Sequence, residues 1–473
     1  MIPVTEYAGR DVAVFGLGRT GLSAAKALAA GGARVHAWDD DEATRERAAQ
    51  AGVTLSDINK RDWQTFAALV LSPGVPYRYP QPHRVVRMAE AVGVPVVGDM
   101  ELFARAVQAL PERGRPKVVG VTGTNGKSTT TALIGHILRH AGIDARVGGN
   151  IGTGVLDMAP LHANAVYVLE LSSYQLDLAK SLHCNVGVFL NLSPDHLDRH
   201  GGMEGYRAAK KRIFNGQQAG DTAIVGVDDL NGQSLAIGLK RTLARVCQVS
   251  SEFALGRGVS AVDGRLFDSL TGKAVPVGDL REARALQGAH NHQNAAAAYA
   301  ACRALGVDSA TILKGLKSFP GLPHRLEIVG QQGGVTFIND SKATNAQAAE
   351  QALKALGRVY WIAGGVAKAE GIGPLEPYFP KVARAYLIGE AEEPFARTLK
   401  GKAPTRRCGT LEQAVHQAFE DARVSGETDA VVLLSPACAS FDQFTSFEAR
   451  GDKFREIVKG LGAPSPQGAM ESA

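Results

Sequence analysis

Residues 118–131 read Val-Val-Gly-Val-Thr-Gly-Thr-Asn-Gly-Lys-Ser-Thr-Thr-Thr, and the fold turns on them. The apolar run at 118–121 predicts a buried strand. Gly123 and Gly126 permit a tight turn. From Lys127 the period becomes helical, with Leu133, Ile134, Ile137 and Leu138 on one face. A strand that feeds a glycine turn into a helix N-terminus offers backbone N–H groups and a positive dipole end to an anion. Lys127 is then placed for the β- and γ-phosphates of a nucleotide, and Ser128 for Mg²⁺. Val121 stands where the usual phosphate loop carries its first glycine.

Two more predicted strands flank this loop. Residues 165–171 carry Glu170 near their end, followed by Ser172, Ser173, Tyr174 and Gln175; residues 186–192 lead into Ser-Pro-Asp-His-Leu-Asp-Arg-His. In an open parallel sheet, ligands bind beyond the carboxyl ends of strands, where all three segments converge. A glutamate at an apolar strand end needs a cation, either Mg²⁺ on nucleotide phosphates or a salt-bridge partner. Asp195, His196 and Asp198 read equally as a surface loop or a metal site. Zinc is disfavoured, because no cysteine or second histidine has a recognised spacing. Residues 206–214 form an amphipathic helix whose Lys210, Lys211 and Arg212 read, by themselves, as solvated charges. Residues 287–294, with Asn291 and Asn294, lead into an alanine-rich helix at 295–305 and suit either a helix cap or a base edge.

The N-terminal stretch is a strand and a full G-x-G-x-x-G at Gly16, Gly18 and Gly21. A helix at 22–30 and a strand at 34–38 ending at Asp39 follow. Alone, this spells a dinucleotide site and an oxidoreductase. Asp40 and Asp41 argue against an NADP phosphate there. Strands at 67–71 and 94–97 complete a small α/β domain, and the proline- and glycine-bearing residues 110–116 are a candidate linker. After a candidate hinge at 321–325, strands near 335–338, 359–363, 383–388 and 430–434 alternate with helices. Three of them end in polar or glycine-rich loops, at 339–345, 364–368 and 435–442. Lysines and hydroxyls on such loops suit a small anionic substrate. Residues 464–473 read as a frayed tail.

The chain has 473 residues, a length for about three domains, with 45% hydrophobic and 21% charged residues. The 52 basic and 47 acidic side chains give +5, scattered rather than clustered, which suits phosphorylated ligands and no nucleic-acid face. Five separated cysteines form no metal pair and fit a reducing compartment. No apolar run is long enough for a bilayer span, so a cytoplasmic protein with no membrane partner is expected.

Together the motifs resemble the Mur ligase family over nearly the whole chain. The loop Gly123, Thr124, Asn125, Gly126, Lys127, Ser128, Thr129 is common to that family and to folylpolyglutamate synthases. The blocks around Glu170, Asp340 and Ser435 point to the branch that adds D-glutamate, and the Asp-Asn-Pro-Arg motif of the diamino-acid branch is absent. The resemblance implies a three-domain α/β fold: a Rossmann-like domain at 1–113, a P-loop ATPase-like domain with a mostly parallel sheet at 114–320, and a Rossmann-like domain at 321–473. It implies ATP-dependent addition of D-glutamate to UDP-N-acetylmuramoyl-L-alanine by a monomer.

On the same footing, Arg19, Thr20, Ser72 and Gly74 match positions near the uridine diphosphate, and Asn150, Ser172 and Gln175 positions near the muramoyl-alanine end. Asn291 and Asn294 match adenine contacts, and Arg325 a phosphate contact. Ser128 and Glu170 match the site of one Mg²⁺ and His196 that of a second. Lys210 matches a lysine that the family carboxylates at Nζ, which turns a cation into an anionic metal ligand. Lys342, Thr344, Lys368, Ser440 and Phe447 match contacts to D-glutamate. The catalytic set implied is Lys127, Glu170, His196 and Lys210. Two departures stand out: Val366 where some members carry aspartate, and Asp40-Asp41 where a Thr-Arg pair helps hold uracil.

The implied reaction passes through an acyl phosphate, with domain closure to keep water from it. Its rivals are another amino-acid ligase of the same class, a nucleotide-dependent oxidoreductase, and a non-catalytic nucleotide-binding regulator. The oxidoreductase leaves the phosphate loop and Glu170 without a role.

Overall fold

A computed structural model describes residues 1–462; the expected frayed tail at 464–473 lies outside the described residues. The chain divides into two compact units, Met1–Phe319 and one beginning at Pro320.

The first unit holds two sheets. Strands β1 (Asp11–Phe15), β2 (Arg34–Trp38), β3 (Phe66–Leu71) and β4 (Val96–Val97) form a parallel sheet in the order β2-β1-β3-β4. The second sheet comprises β5 (Lys117–Thr122), β6 (Asp144–Gly149), β7 (Ala165–Glu170), β8 (Val186–Phe189), β9 (Thr222–Gly226), β10 (Arg245–Ser250), β11 (Val259–Val262), β12 (Arg265–Asp268) and β13 (Val275–Asp279). Its order is β13-β12-β11-β10-β9-β8-β5-β7-β6. It is parallel except for the antiparallel ribbon β11-β12-β13.

The alternation of β5 explains why these two sheets form one unit. Val118 joins a core that runs without a break from Val12 and Val14 of the first sheet to Tyr167 and Leu169 of the second. Val119 and Val121 point the other way. They pack under Leu133, Ile134, Ile137 and Leu138 of the helix Lys127–His140, as their spacing predicts. Each such side chain, fully buried, contributes about 1.5–3 kcal/mol. Val121 therefore occupies the first-glycine position of the motif because that position is still inside the strand, with no exposed surface.

The second unit has one sheet: β14 (Glu327–Gln332), β15 (Val335–Asn339), β16 (Val359–Gly364), β17 (Val382–Ile388), β18 (Thr405–Gly409) and β19 (Ala430–Leu434). The order is β14-β15-β19-β16-β17-β18, parallel except for the β14–β15 pair. Trp361 enters the core on one face, and Tyr360 and Ile362 the core on the other.

Element types agree with the sequence, while some boundaries move. The alanine-rich helix is Ala289–Ala304, so His290 to Asn294 lie in its first turns; Gly288, at φ +87°, lets the chain enter it. Strand β8 stops at Phe189, which pairs with Thr122, the last residue of β5; beyond it Leu192 gives its N–H to the Asp229 side chain, Oδ2 at 3.1 Å.

Candidate active site

The phosphate loop is held from outside as well as by its own turn. Asn191, just past β8, accepts the Asn125 N–H at 2.9 Å through its side chain and the Thr124 N–H at 3.0 Å through its backbone. Gly126 sits at φ +82°, and a Cβ there would lie 2.2 Å from Asn294 Oδ1, so glycine is required. Asn294 also accepts the Thr130 hydroxyl at 3.2 Å and donates to Asn291 at 3.1 Å. Of the pair expected at an adenine, Asn294 thus reaches the loop itself, and Asn291 is tied to it through Asn294.

Lys127 folds back onto the loop, donating to Gly123 O at 3.0 Å and Thr124 O at 2.7 Å. Lys210 is buried and shares the same carbonyl, at 2.7 Å from Gly123 O. Burial first, and the neighbouring Lys127 charge second, bring its amine down to about 7; Asp195 and Glu170 oppose this. A solvated surface lysine, the reading its helix alone supports, is therefore excluded: the turn of helix Met203–Lys211 aims it inward over the Tyr206 ring, 4.7 Å from the centroid.

Glu170 closes β7, whose end pairs with Val121 of β5. It is buried; Oε1 accepts from Asn150 at 2.7 Å, while Oε2 has no hydrogen-bond partner among the described residues. A buried carboxylate oxygen without a donor is costly and marks a place for a cation. The described residues contain no cluster of three or more His, Cys, Asp or Glu able to hold a metal by themselves. Ser128, next to Lys127 in the first turn, is half-buried. His196 has the left-handed backbone at φ +51°, is half exposed, and lies 3.4 Å from Asp195 and 5.2 Å, centroid to centroid, from Tyr174.

The residues expected at the acyl substrate are drawn together as well. Arg19 donates to Gly152 O at 3.1 Å and to Asn150 O at 3.4 Å, which links the glycine turn of the first sheet to the loop that follows β6. Ser172 caps the short helix Ser173–Asp177 in a reciprocal capping box with Gln175, a motif that contributes about 1 kcal/mol. In the first sheet, Ser72 packs against Gly16, Gly74 O accepts from Arg199 at 3.1 Å, and Thr20 lies in the first turn of the helix Arg19–Ala30. Asp39, where a ribose-binding acid was expected, accepts the N–H groups of Leu17 (2.6 Å) and Asp41 (2.9 Å). It fixes the glycine turn. Asp40 pairs with Arg84 at 2.5 Å, and Asp41 caps the helix Glu42–Gln50.

In the second unit the candidate residues gather at the ends of β15, β16 and β19. Lys342 lies over the Phe447 ring, 4.0 Å from its centroid, and Thr344 donates its N–H to Lys342 O at 2.8 Å. Val366 exchanges backbone hydrogen bonds with Ala439 at 2.9 and 3.0 Å, pinning the glycine loop to the segment that carries Ser440; Lys368 is exposed at its tip. Ser440 is 2% exposed, yet its Oγ has no partner among the described residues.

The sequence reading missed Arg450, which is 1% exposed. It donates to Ser341 Oγ (3.0 Å), Ser341 O (2.9 Å) and Cys438 O (3.0 Å), while its Nη1 has no partner among the described residues. Gly365, at φ +123°, leaves room there: a Cβ would lie 3.3 Å from that Nη1. Burial pulls the Arg450 guanidinium down to about 10. Arg325 also belongs to this unit, where its charge partly offsets the burial that pushes Asp340 up to about 7.

Comparison with known proteins fits this geometry. Three family profiles match in succession: "Mur ligase MurD-like, N-terminal domain" over residues 10–98, "Mur ligase middle domain" over 121–302 and "Mur ligase, glutamate ligase domain" over 324–438. A UDP-N-acetylmuramoylalanine–D-glutamate ligase of Caulobacter vibrioides is 58% identical over 99% of this chain and 100% of its own length. The protein of the same name from Phenylobacterium zucineum is 56% identical, covering 98% of each. Among solved structures, the UDP-N-acetylmuramate-alanine ligase MurC of Thermotoga maritima shares the fold, with a TM-score of 0.57 at 16% identity over 96% of this chain and 99% of that one. With relatives this similar along essentially its whole length, the chain belongs to the Mur ligase family.

Proposed function

We propose that this protein is an ATP-dependent ligase that joins D-glutamate to UDP-N-acetylmuramoyl-L-alanine in cytoplasmic peptidoglycan precursor synthesis. Support comes from full-length likeness to ligases bearing that activity in their name. One observation of the site carries the chemistry: Lys127 and Lys210 converge on the Gly123 carbonyl beside Glu170, whose Oε2 has no partner among the described residues. Residues 1–113 hold the uridine diphosphate, 114–320 the ATP and 321–473 the D-glutamate.

The alanine carboxylate attacks the γ-phosphorus of ATP, the bond to the bridging oxygen breaks, and ADP leaves. Lys127 exchanges its loop carbonyls for phosphate oxygens and offsets the charge that develops. Glu170 with Ser128 suits one Mg²⁺, and His196 with Lys210 carboxylated at Nζ suits a second; bound there, the ions offset the charges of both reactants. Asn150 keeps the Glu170 carboxylate in place by its 2.7 Å bond. The neutral amine that Lys210 reaches near pH 7 is the form able to take up CO₂. In the second unit, Lys342, Lys368, Ser440 and Arg450 capture the D-glutamate carboxylates, with Thr344 and Phe447 alongside. Its free amine then attacks the acyl carbon, and phosphate leaves.

Isotope transfer tests the acyl phosphate. With ¹⁸O in the alanine carboxylate, the released phosphate acquires one ¹⁸O per turnover. Phosphate free of ¹⁸O would contradict the reading.

A further inference from the structure

The helix Asp99–Gln108 of the first sheet's domain grips the segment that follows Glu170 with two buried carboxylates, and they are used differently. Glu101 is fully committed: it accepts from Lys180 N (2.6 Å), Ser181 N (2.7 Å), Ser181 Oγ (2.7 Å) and Arg105 Nε (2.9 Å). Asp99 accepts one side-chain hydrogen bond, from Gln175 Nε2 at 3.0 Å, and its Oδ1 has no hydrogen-bond partner among the described residues. Glu101 is a structural tie. Asp99 does something else.

A carboxylate can only accept, so it fixes which end of the Gln175 amide faces it. With Nε2 on Asp99, Oε1 must face Ser172, where it receives both the backbone N–H at 3.2 Å and the hydroxyl at 3.1 Å. The Ser172 hydrogen is thereby turned inward. Its oxygen accepts the Gln175 N–H at 3.2 Å, which leaves it one further lone pair, on a half-buried residue two positions after Glu170.

We propose that Asp99 is a positioning residue which, through Gln175, makes the Ser172 hydroxyl an acceptor for a secondary-amide N–H of the acyl substrate. This rests on the reading above, in which Ser172 lies near the muramoyl-alanine end. Burial pushes the Asp99 carboxyl up to about 6, with Gln175, the helix N-terminal N–H groups and the Arg19 charge opposing. Asp99 is thus still an anion, and a pure acceptor, at neutral pH.

The test compares UDP-N-acetylmuramoyl-L-alanine with its ester analogue, in which oxygen replaces the alanine N–H. The readouts are steady-state phosphate release for each substrate and thermal unfolding of every variant. Wild type is expected to favour the amide by about tenfold in kcat/KM, the effect of one well-placed hydrogen bond. Asp99→Leu loses that preference, while its KM for ATP and for D-glutamate stays within about twofold of wild type. Gln175→Leu removes the acceptor that holds the Ser172 hydrogen and loses it too. The double variant D99N/Q175E keeps it, because the introduced amide donates to the introduced carboxylate, which again accepts from Ser172. If Asp99→Leu does not fold, this pair decides.

An amide preference unchanged in Asp99→Leu or Gln175→Leu overturns the proposal, as does its loss in D99N/Q175E. So does a uniform rise in all three KM values. A wild type that releases no phosphate with either acyl substrate instead overturns the reading on which the proposal rests.

Discussion

At the end of β7 in the first unit, a buried polar atom without a partner among the described residues is an acceptor, Glu170 Oε2. At strand ends of the second unit, two such atoms without a partner among the described residues are Ser440 Oγ and Arg450 Nη1, a hydroxyl and a guanidinium donor. Both sites lie beyond the carboxyl ends of parallel strands, where α/β sheets place their ligands. The architecture is shared, and the sign of the unmatched group differs. An orphaned acceptor beside lysines calls for a cation that travels with phosphates; an orphaned guanidinium beside a hydroxyl calls for a carboxylate. Buried polar atoms are otherwise matched in folded proteins, so these exceptions carry information about ligands.

That contrast can be broken most forcefully at the first site. Lys127→Ala should lower kcat by about 10³-fold, the scale of losing a preorganised cation at a charged transition state. Lys210→Ala should also abolish turnover, with partial recovery in short carboxylic acids that replace the missing carboxylate. Full activity of Lys210→Ala in rate assays would contradict the proposed carboxylated-lysine metal ligand. At the second site, Arg450→Met should raise the KM for D-glutamate by about 30-fold, within the range for an ionic hydrogen bond, and leave that for ATP unchanged. A KM for ATP that rises in parallel would show Arg450 to be a scaffold only. Ser440→Ala should give a smaller increase, about five- to tenfold, in the same measurement.

The smallest effect expected is one of stability. Burial holds the Asp340 carboxyl at about 7, above its ordinary 3.8, so the folded second unit favours the protonated form. Its contribution is full below about pH 4 and is lost as pH rises through 7. Asp340→Asn should flatten this dependence: from pH 4 to 8 the wild-type Tm should fall by a few degrees relative to the variant. Parallel Tm curves for the two proteins would contradict the assignment.

The phosphate loop and the ends of β7, β15, β16 and β19 were legible because strand–turn–helix punctuation is local in sequence. Lys210 was not, from its helix alone: its neighbours Lys211 and Arg212 make it look solvated, and only the tertiary fold buries it against Gly123. Arg450 was hidden in the same way within the charged helix Phe447–Gly460, distant in sequence from the Ser341 it serves. Gln175 shows the converse. The resemblance marked it as a substrate contact; its amide also joins Ser172 to Asp99, a partnership across 76 residues that no local pattern records. The ribbon β11-β12-β13 escaped notice because its strands are short and its edge strand is largely exposed.

The central claim, a cation-assisted ATP site coupled to a carboxylate-capturing one, is tested most directly by phosphate release from ATP with UDP-N-acetylmuramoyl-L-alanine. D-glutamate, L-glutamate, L-alanine and meso-diaminopimelate are supplied in turn. Release with D-glutamate alone is the predicted result. Release with another of the four would keep the ligase and overturn the substrate assignment, and no release with any of them would contradict the account.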